Sequence, residues 1–203
     1  MKNYINTELL DETTLDKCIK ISTMSATCSL STDINLNNVY EYMKLVNGNI
    51  VTVKYKGSIK SLEKIKKRRK NKKINSFHNQ LTVEVRPDIV KLPDNKISIK
   101  IFRNGSIQMS GVKSLYACNL ALTKLIDNLN MEYGVVEDGK INEIKFINGD
   151  NKITEIARFK VDMINSNFKI GYQINREELY NILLGKKIQC RYEPCIHACV
   201  NIK

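Results

Sequence analysis

The feature that most constrains this chain is a change of hydrophobic period between residues 97 and 129. Ile97, Ile99 and Ile101 alternate with Ser98, Lys100 and Phe102, the two-residue period of a strand with one buried face. Asn104-Gly105 follows, a dipeptide suited to the positive φ values of a tight hairpin turn. Ile107 and Met109 then alternate with Gln108 and Ser110 on the return strand. From Ser114 the spacing lengthens: Leu115, Cys118, Leu122, Leu125, Ile126 and Leu129 mark one face of a long helix, and Ser114 is placed to cap it. Isoleucines on one side of a hairpin, followed by an amphipathic helix, predict an antiparallel sheet covered by helix on a single face, in the α+β class.

The rest of the chain reads in the same terms. Ile19 to Leu30 has strand character, Leu36, Val39, Tyr40 and Met43 have helical spacing, and Val51 to Tyr55 suits a short strand. Leu81, Val83 and Val85 alternate with polar residues until Pro87, which cannot donate to a ladder. Segment 130–156 is polar and reads as a connector. Phe159 to Ile174 returns to strand, Arg176 to Leu184 reads as a helix stopped by Gly185, and Lys187 to Lys203 ends in alternation. The order suggests an internal duplication. Lys20 to Cys28 matches Lys160 to Phe168 without gaps in apolar and polar class, and Phe77 to Val83 matches Ile196 to Ile202. The two histidines of the protein, His78 and His197, fall at equivalent positions. The offset is 140 residues in the first pair and 119 in the second, so the first half carries 21 extra residues before its second matched strand.

Those extra residues coincide with the charge. Between Lys54 and Lys73 stand eleven Lys or Arg against one acid, Glu63, which is +10 of the net +12 of the chain. Concentrated positive charge favours a polyanionic partner. With 203 residues, 42% hydrophobic and 27% charged, the composition is globular and large enough for a core. No apolar run is long enough to span a membrane. Met1 to Asp16 lacks the pattern of a secretory signal, so the six cysteines are expected to be reduced thiols.

Three blocks resemble the TATA-box-binding protein family, in the divergent form found in large DNA viruses. Ile101 to Ser114, with Phe102 before the Gly turn and Ser110-Gly111-Val112-Lys113-Ser114 opening the helix, is similar to that family's hairpin and helix start. Tyr192-Glu193-Pro194 is similar to a Tyr-Glu-Pro of its second repeat, and Thr23 to Val39 aligns with its first strand and helix. The resemblance implies an α+β saddle: a curved antiparallel sheet, helices on its convex side, and two pseudo-symmetric repeats with the second truncated. On that basis residues 1–16 are an N-terminal tail. Residues 17–131 are the first repeat with a basic insertion at 44–76, 132–156 a connector, and 157–203 an incomplete second repeat. After His197 only six residues remain, so either the chain is a fragment or a partner covers the exposed sheet edge.

The function the resemblance implies is transcription initiation without enzymatic chemistry or cofactor. The concave face would lie in the minor groove of double-stranded, AT-rich promoter DNA and bend it, with apolar wedges unstacking base steps. A transcription-factor-IIB-like factor and an RNA polymerase complex would be the protein partners, with Glu193 at a protein contact. The setting would be intracellular: host nucleus, cytoplasmic viral factory or virion. Phe102 takes one wedge position, His78 (Phe77 if the alignment slips by one) its partner, and His197 the equivalent in the second half. The groove positions fall at Thr23, Ser25, Lys100, Gln108, Ser110, Met163 and Asn165, many of them polar where the family is apolar.

The basic stretch, with Lys66, Lys67, Arg68 and Arg69 at its centre, is suited to phosphate contacts, and equally to nuclear import or solvation. Cys195, His197 and Cys199 share one strand face with Cys190 nearby, but three ligands on one strand make a poor zinc tetrahedron. No orienting acid or oxyanion hole accompanies a Cys–His pair, and the glycines fit no phosphate loop. A second functional expectation is a scaffold that keeps the fold and binds proteins rather than DNA, which the polar groove positions favour.

Overall fold

Alternating β-branched and polar residues form a pleated surface with one apolar side, and neighbouring strands pair so that those sides coincide. A computed structural model describes residues 2–6, 18–64, 78–91, 95–137, 139–149 and 151–203. Its elements, in chain order, are β1 (Ile19–Ser29), α1 (Leu36–Tyr42), β2 (Ile50–Tyr55), β3 (Ser58–Ser61), β4 (Gln80–Val85), β5 (Ile97–Phe102) and β6 (Ser106–Val112). They continue with α2 (Leu115–Leu129), β7 (Tyr133–Glu137), β8 (Lys140–Ile144), β9 (Ala157–Phe168), α3 (Arg176–Gly185), β10 (Cys190–Glu193) and β11 (His197–Ile202). By packing, the chain divides into a unit ending at Asn167 and a second beginning at Phe168. The internal repeat divides it at 157 instead, because β9 copies β1 in sequence while belonging to the first unit's sheet.

That sheet has seven strands in the order β3-β2-β4-β5-β6-β1-β9. The pairs from β3 through to β1 are all antiparallel, as the hairpin at Asn104-Gly105 requires for β5 and β6. The two strands equated by the internal repeat, β1 and β9, are neighbours. The isoleucines of β5 face the core together with Met24, Ala26, Cys28, Leu81, Val83, Val85, Ile107 and Met109, all buried. Against them pack Leu36 and Val39 of α1 and Leu115, Cys118, Leu122, Leu125 and Ile126 of α2. Both helices therefore cover the same face. Each fully buried aliphatic side chain contributes about 1.5–3 kcal/mol, so this row dominates the stability of the unit.

Local chemistry fixes the joints. Ser114 is extended and its hydroxyl accepts from the Ala117 amide at 3.1 Å, starting α2. Asn35 does the same for α1 through the Asn38 amide. At the end of β6, Met24 pairs with Val112 but Ser25 pairs with Ser110, leaving Gly111 as a bulge. Its φ is +80°, and a Cβ there would lie 2.9 Å from the Lys96 carbonyl. The bulge returns Val112 to the core before the helix begins.

Residues 2–6 lie along α2. The Asn119 carboxamide is buried and clamps them: its oxygen accepts from the Tyr4 and Ile5 amides at 2.8 and 3.3 Å, and its nitrogen donates to the Lys2 carbonyl at 3.2 Å. Ile5 joins the core. Replacing Asn119 with leucine removes both halves of this clamp. Amide hydrogen exchange at Tyr4 and Ile5 is expected to accelerate about fivefold or more, since each amide loses a hydrogen bond worth about 1 kcal/mol or more. Unchanged protection there would show that Ile5 alone holds the segment.

Segment 130–156 is more than a connector. It contains the β7–β8 hairpin, and Phe146, Ile147 and Ile153 enter the core. Most of the described hairpin side chains are partly or fully exposed, so no apolar period marks it in sequence. In the second unit α3 packs on the antiparallel pair β10–β11, repeating the local arrangement of α1 on β2 and β4. Asn175 caps α3 by accepting from the Glu178 amide at 3.3 Å. The helix runs through Gly185, and Lys186 forms its cap. The helix therefore ends at Gly185, one residue past the Leu184 end read from sequence. Among the described residues no helix is long and apolar enough to cross a membrane.

Candidate nucleic-acid interface

The side of the first unit's sheet opposite α1 and α2 carries the polar half of each alternating strand, and the register lines these residues into rows. One row runs Ser25, Ser110, Ser98, Glu84, Thr52 and Ser61 across six strands. The next runs Thr27, Gln108, Lys100, Thr82 and Lys54. Most of these residues are half-buried, while Gln108 and Ser110 are exposed. Lys54 and Glu84 form an ion pair, and the Thr52 and Ser61 hydroxyls lie 2.9 Å apart. Lys100 has no ion-pair partner among the described residues.

Phe102 ends β5, half-buried, with Gln80 as its cross-strand partner. Its alternation with Ile99 and Ile101 puts it on the polar-row side. His78 stands exposed just before β4, where its carbonyl accepts from the Tyr55 hydroxyl at 3.2 Å. The pairing of β4 with β5 brings His78 and Phe102 to the same end of the sheet. At the opposite end of those strands the Glu63 carboxylate takes Arg86 and Lys96, each at 2.6 Å. The hydrogen bond from Lys96, aided by Arg86, holds the Glu63 carboxyl below its ordinary range. This ion triplet anchors the chain where the basic stretch starts.

Of the remaining candidates, Thr23 lies half-buried on β1, and Met163 and Asn165 are exposed on β9. The Asn165 carbonyl accepts from the Ser22 hydroxyl at 3.0 Å, joining the two repeat-related strands at a side chain as well as along their ladder. In the second unit Glu193 pairs in register with His197, and its carboxylate accepts from Arg191 at 2.6–2.7 Å. Phe77, Lys66, Lys67, Arg68 and Arg69 lie outside the described residues. Among the described residues no three His, Cys, Asp or Glu side chains are grouped to hold a metal ion. Burial pushes the Cys28 and Cys118 thiols up to about 12, leaving them protonated packing groups at neutral pH.

The sequence-based candidates on β1, β5 and β6 are thus brought into one surface. Thr27, Ser98, Thr82 and Lys54 belong to that surface too and were missed. A two-residue turn at Asn104-Gly105 would have paired Ser98 with Gly111; the loop takes in Arg103 as well, with positive φ at Gly105 alone of the three, and this sets Ser98 against Ser110. The β1–β6 and β2–β4 pairings join segments far apart in sequence and leave no local signal.

No family model matches the chain. It is 35% identical over 205 aligned residues to a "TATA-box-binding protein-like" protein of Acanthamoeba polyphaga mimivirus. The match takes in 93% of this chain but 54% of that protein, so the chain spans about half the length of its viral relative. Among solved structures, Methanococcus jannaschii TBP matches with a TM-score of 0.51 at 19% identity, over 90% of this chain and 74% of that one. At that identity the likeness concerns the fold. Sequence and architecture together make this chain a relative of the mimivirus TATA-box-binding protein-like protein, built on the TATA-box-binding-protein fold.

Proposed function

We propose that the chain is a transcription initiation factor, a binding protein and not an enzyme, whose sheet face opposite α1 and α2 lies in the minor groove of duplex promoter DNA and bends it. One observation carries the proposal: a broad sheet face that no helix covers among the described residues of the first unit, with an aromatic side chain, Phe102, beyond its polar rows at the end of β5. A sheet in the minor groove needs side chains that reach base edges without a unique code, because that groove reports mainly A·T against G·C and deformability. The basic stretch adds phosphate affinity. A factor resembling transcription factor IIB and a polymerase complex would then assemble on the bent duplex, with Glu193 on the protein-facing side of the second unit.

A second proposal, a protein-binding scaffold, has its own support. The face carries a carboxylate, Glu84, which DNA would repel were it not paired with Lys54. A salt titration separates the two. A DNA binder loses affinity steeply with added salt, whereas a scaffold shows no measurable affinity for duplex even at low salt. Converting Lys66, Lys67, Arg68 and Arg69 to glutamine is expected to weaken binding to all duplexes alike and to flatten the log–log salt slope by up to about four. If slope and affinity stay unchanged, the basic stretch is not on the DNA.

A further inference from the structure

Resting on the minor-groove proposal, we propose that this face accepts G·C pairs about as readily as A·T pairs, through the row Ser25–Ser110–Ser98 and the row Thr27–Gln108. Both pair types present ring-nitrogen and carbonyl acceptors in the minor groove, and G·C adds the guanine 2-amino donor. An apolar sheet face would bury that amino group without a partner. The penalty is about fivefold to a hundredfold per group, and such a face selects A·T.

Here Ser25 and Thr27 on β1, Gln108 and Ser110 on β6 and Ser98 on β5 carry hydroxyls and a carboxamide, which both donate and accept, while Lys100 beside Gln108 adds a group that only donates. Their donors serve the acceptors common to all base pairs, and their oxygens accept from the guanine amino group. Three further observations support the assignment. The side chains of Ser25, Ser98, Ser110, Thr27 and Gln108 make no hydrogen bonds among the described residues, so their capacity is open to a ligand. The serines occupy one continuous cross-strand row through β1, β6 and β5, so acceptors follow one another across the centre of the face. Serine is also small, leaving room for an amino group that projects from the groove floor. Sequence choice then shifts from the base edge to the ease of deforming the step beside Phe102.

Three duplexes test this: identical flanks around a central A·T, G·C or inosine·C segment, the inosine lacking only the 2-amino group. With the wild-type chain, affinity for the G·C and inosine·C duplexes is expected to agree within about threefold. In Ser25→Val/Ser110→Val, with β-favouring residues at both positions, inosine·C is expected to be preferred by about tenfold or more. Gln108→Leu, on the adjacent row, should shift the ratio in the same direction and serves if the double variant melts early by circular dichroism. Preference of the wild type for inosine·C by tenfold or more overturns the inference while leaving minor-groove binding intact. So do variants that bind with the wild-type ratio. Failure of the wild type to bind any of the three at low salt overturns both the inference and the DNA reading beneath it.

Discussion

Gly105→Ala is expected to cost about 3 kcal/mol of folding stability. Gly105 has φ +74°, and a Cβ built on it would sit 2.1 Å from the Thr32 carbonyl oxygen. Two costs add: about 1–2 kcal/mol for a left-handed alanine and about 1–3 kcal/mol for forcing packed backbone apart. The neighbour cannot step aside cheaply. The Gly105 carbonyl accepts from Leu30 at 2.9 Å and the Arg103 carbonyl from Ile34 at 2.7 Å, so the turn is stitched to the loop between β1 and α1. For a chain of this size the melting temperature should fall by roughly 10 °C. Gly139→Ala is the internal control. It has the same φ of +74° but nothing within 4 Å of its Cβ position, so only the strain, about 1 kcal/mol, remains. Equal melting shifts for the two variants would show that the contact with Thr32 is not a constraint.

Phe102→Ala is expected to have the largest effect on DNA. On the proposed function, the ring enters a base step and replaces part of the stacking it breaks. Losing it should weaken binding by about fivefold to a hundredfold and reduce the bend of a labelled AT-rich duplex, read by energy transfer between its ends. His78 stands at the same end of the sheet, and an imidazole there keeps a polar edge in need of hydrogen bonds, so it should kink less well. His78→Phe is therefore expected to increase the bend. The alternative is that Phe102 is ordinary core. In that case Phe102→Ala would destabilise the free protein by about 3–5 kcal/mol yet leave the bend of the bound fraction unchanged. The half-buried state of the ring argues for a cost well below that.

The period change from Ile101 to Leu115 determined, from sequence alone, the β5–β6 hairpin, the start of α2 at Ser114 and which side of each strand is buried. These are local properties: a two-residue or 3.6-residue repeat, a turn that tolerates positive φ, a hydroxyl that caps. The internal repeat equally marked β1 and β9 as copies, and the resemblance of Ile101 to Ser114, Tyr192-Glu193-Pro194 and Thr23 to Val39 to the TATA-box-binding protein family pointed to the fold that the structural likeness shows. Tertiary structure decided the rest. It set β1 beside both β6 and β9, and so placed Thr27 against Gln108 and Ser25 against Ser110. It gave residues 2–6 a berth on Asn119, folded the polar segment at 133–144 into a hairpin, and added β3 next to β2. The placement of β1 and of residues 2–6 rests on pairing between segments distant in sequence, the 133–144 hairpin has mostly exposed side chains, and β3 is four residues long, too short for a period to show. The sequence identified which residues are polar on each strand. Only the register of the assembled sheet turned them into continuous rows that a duplex groove can meet.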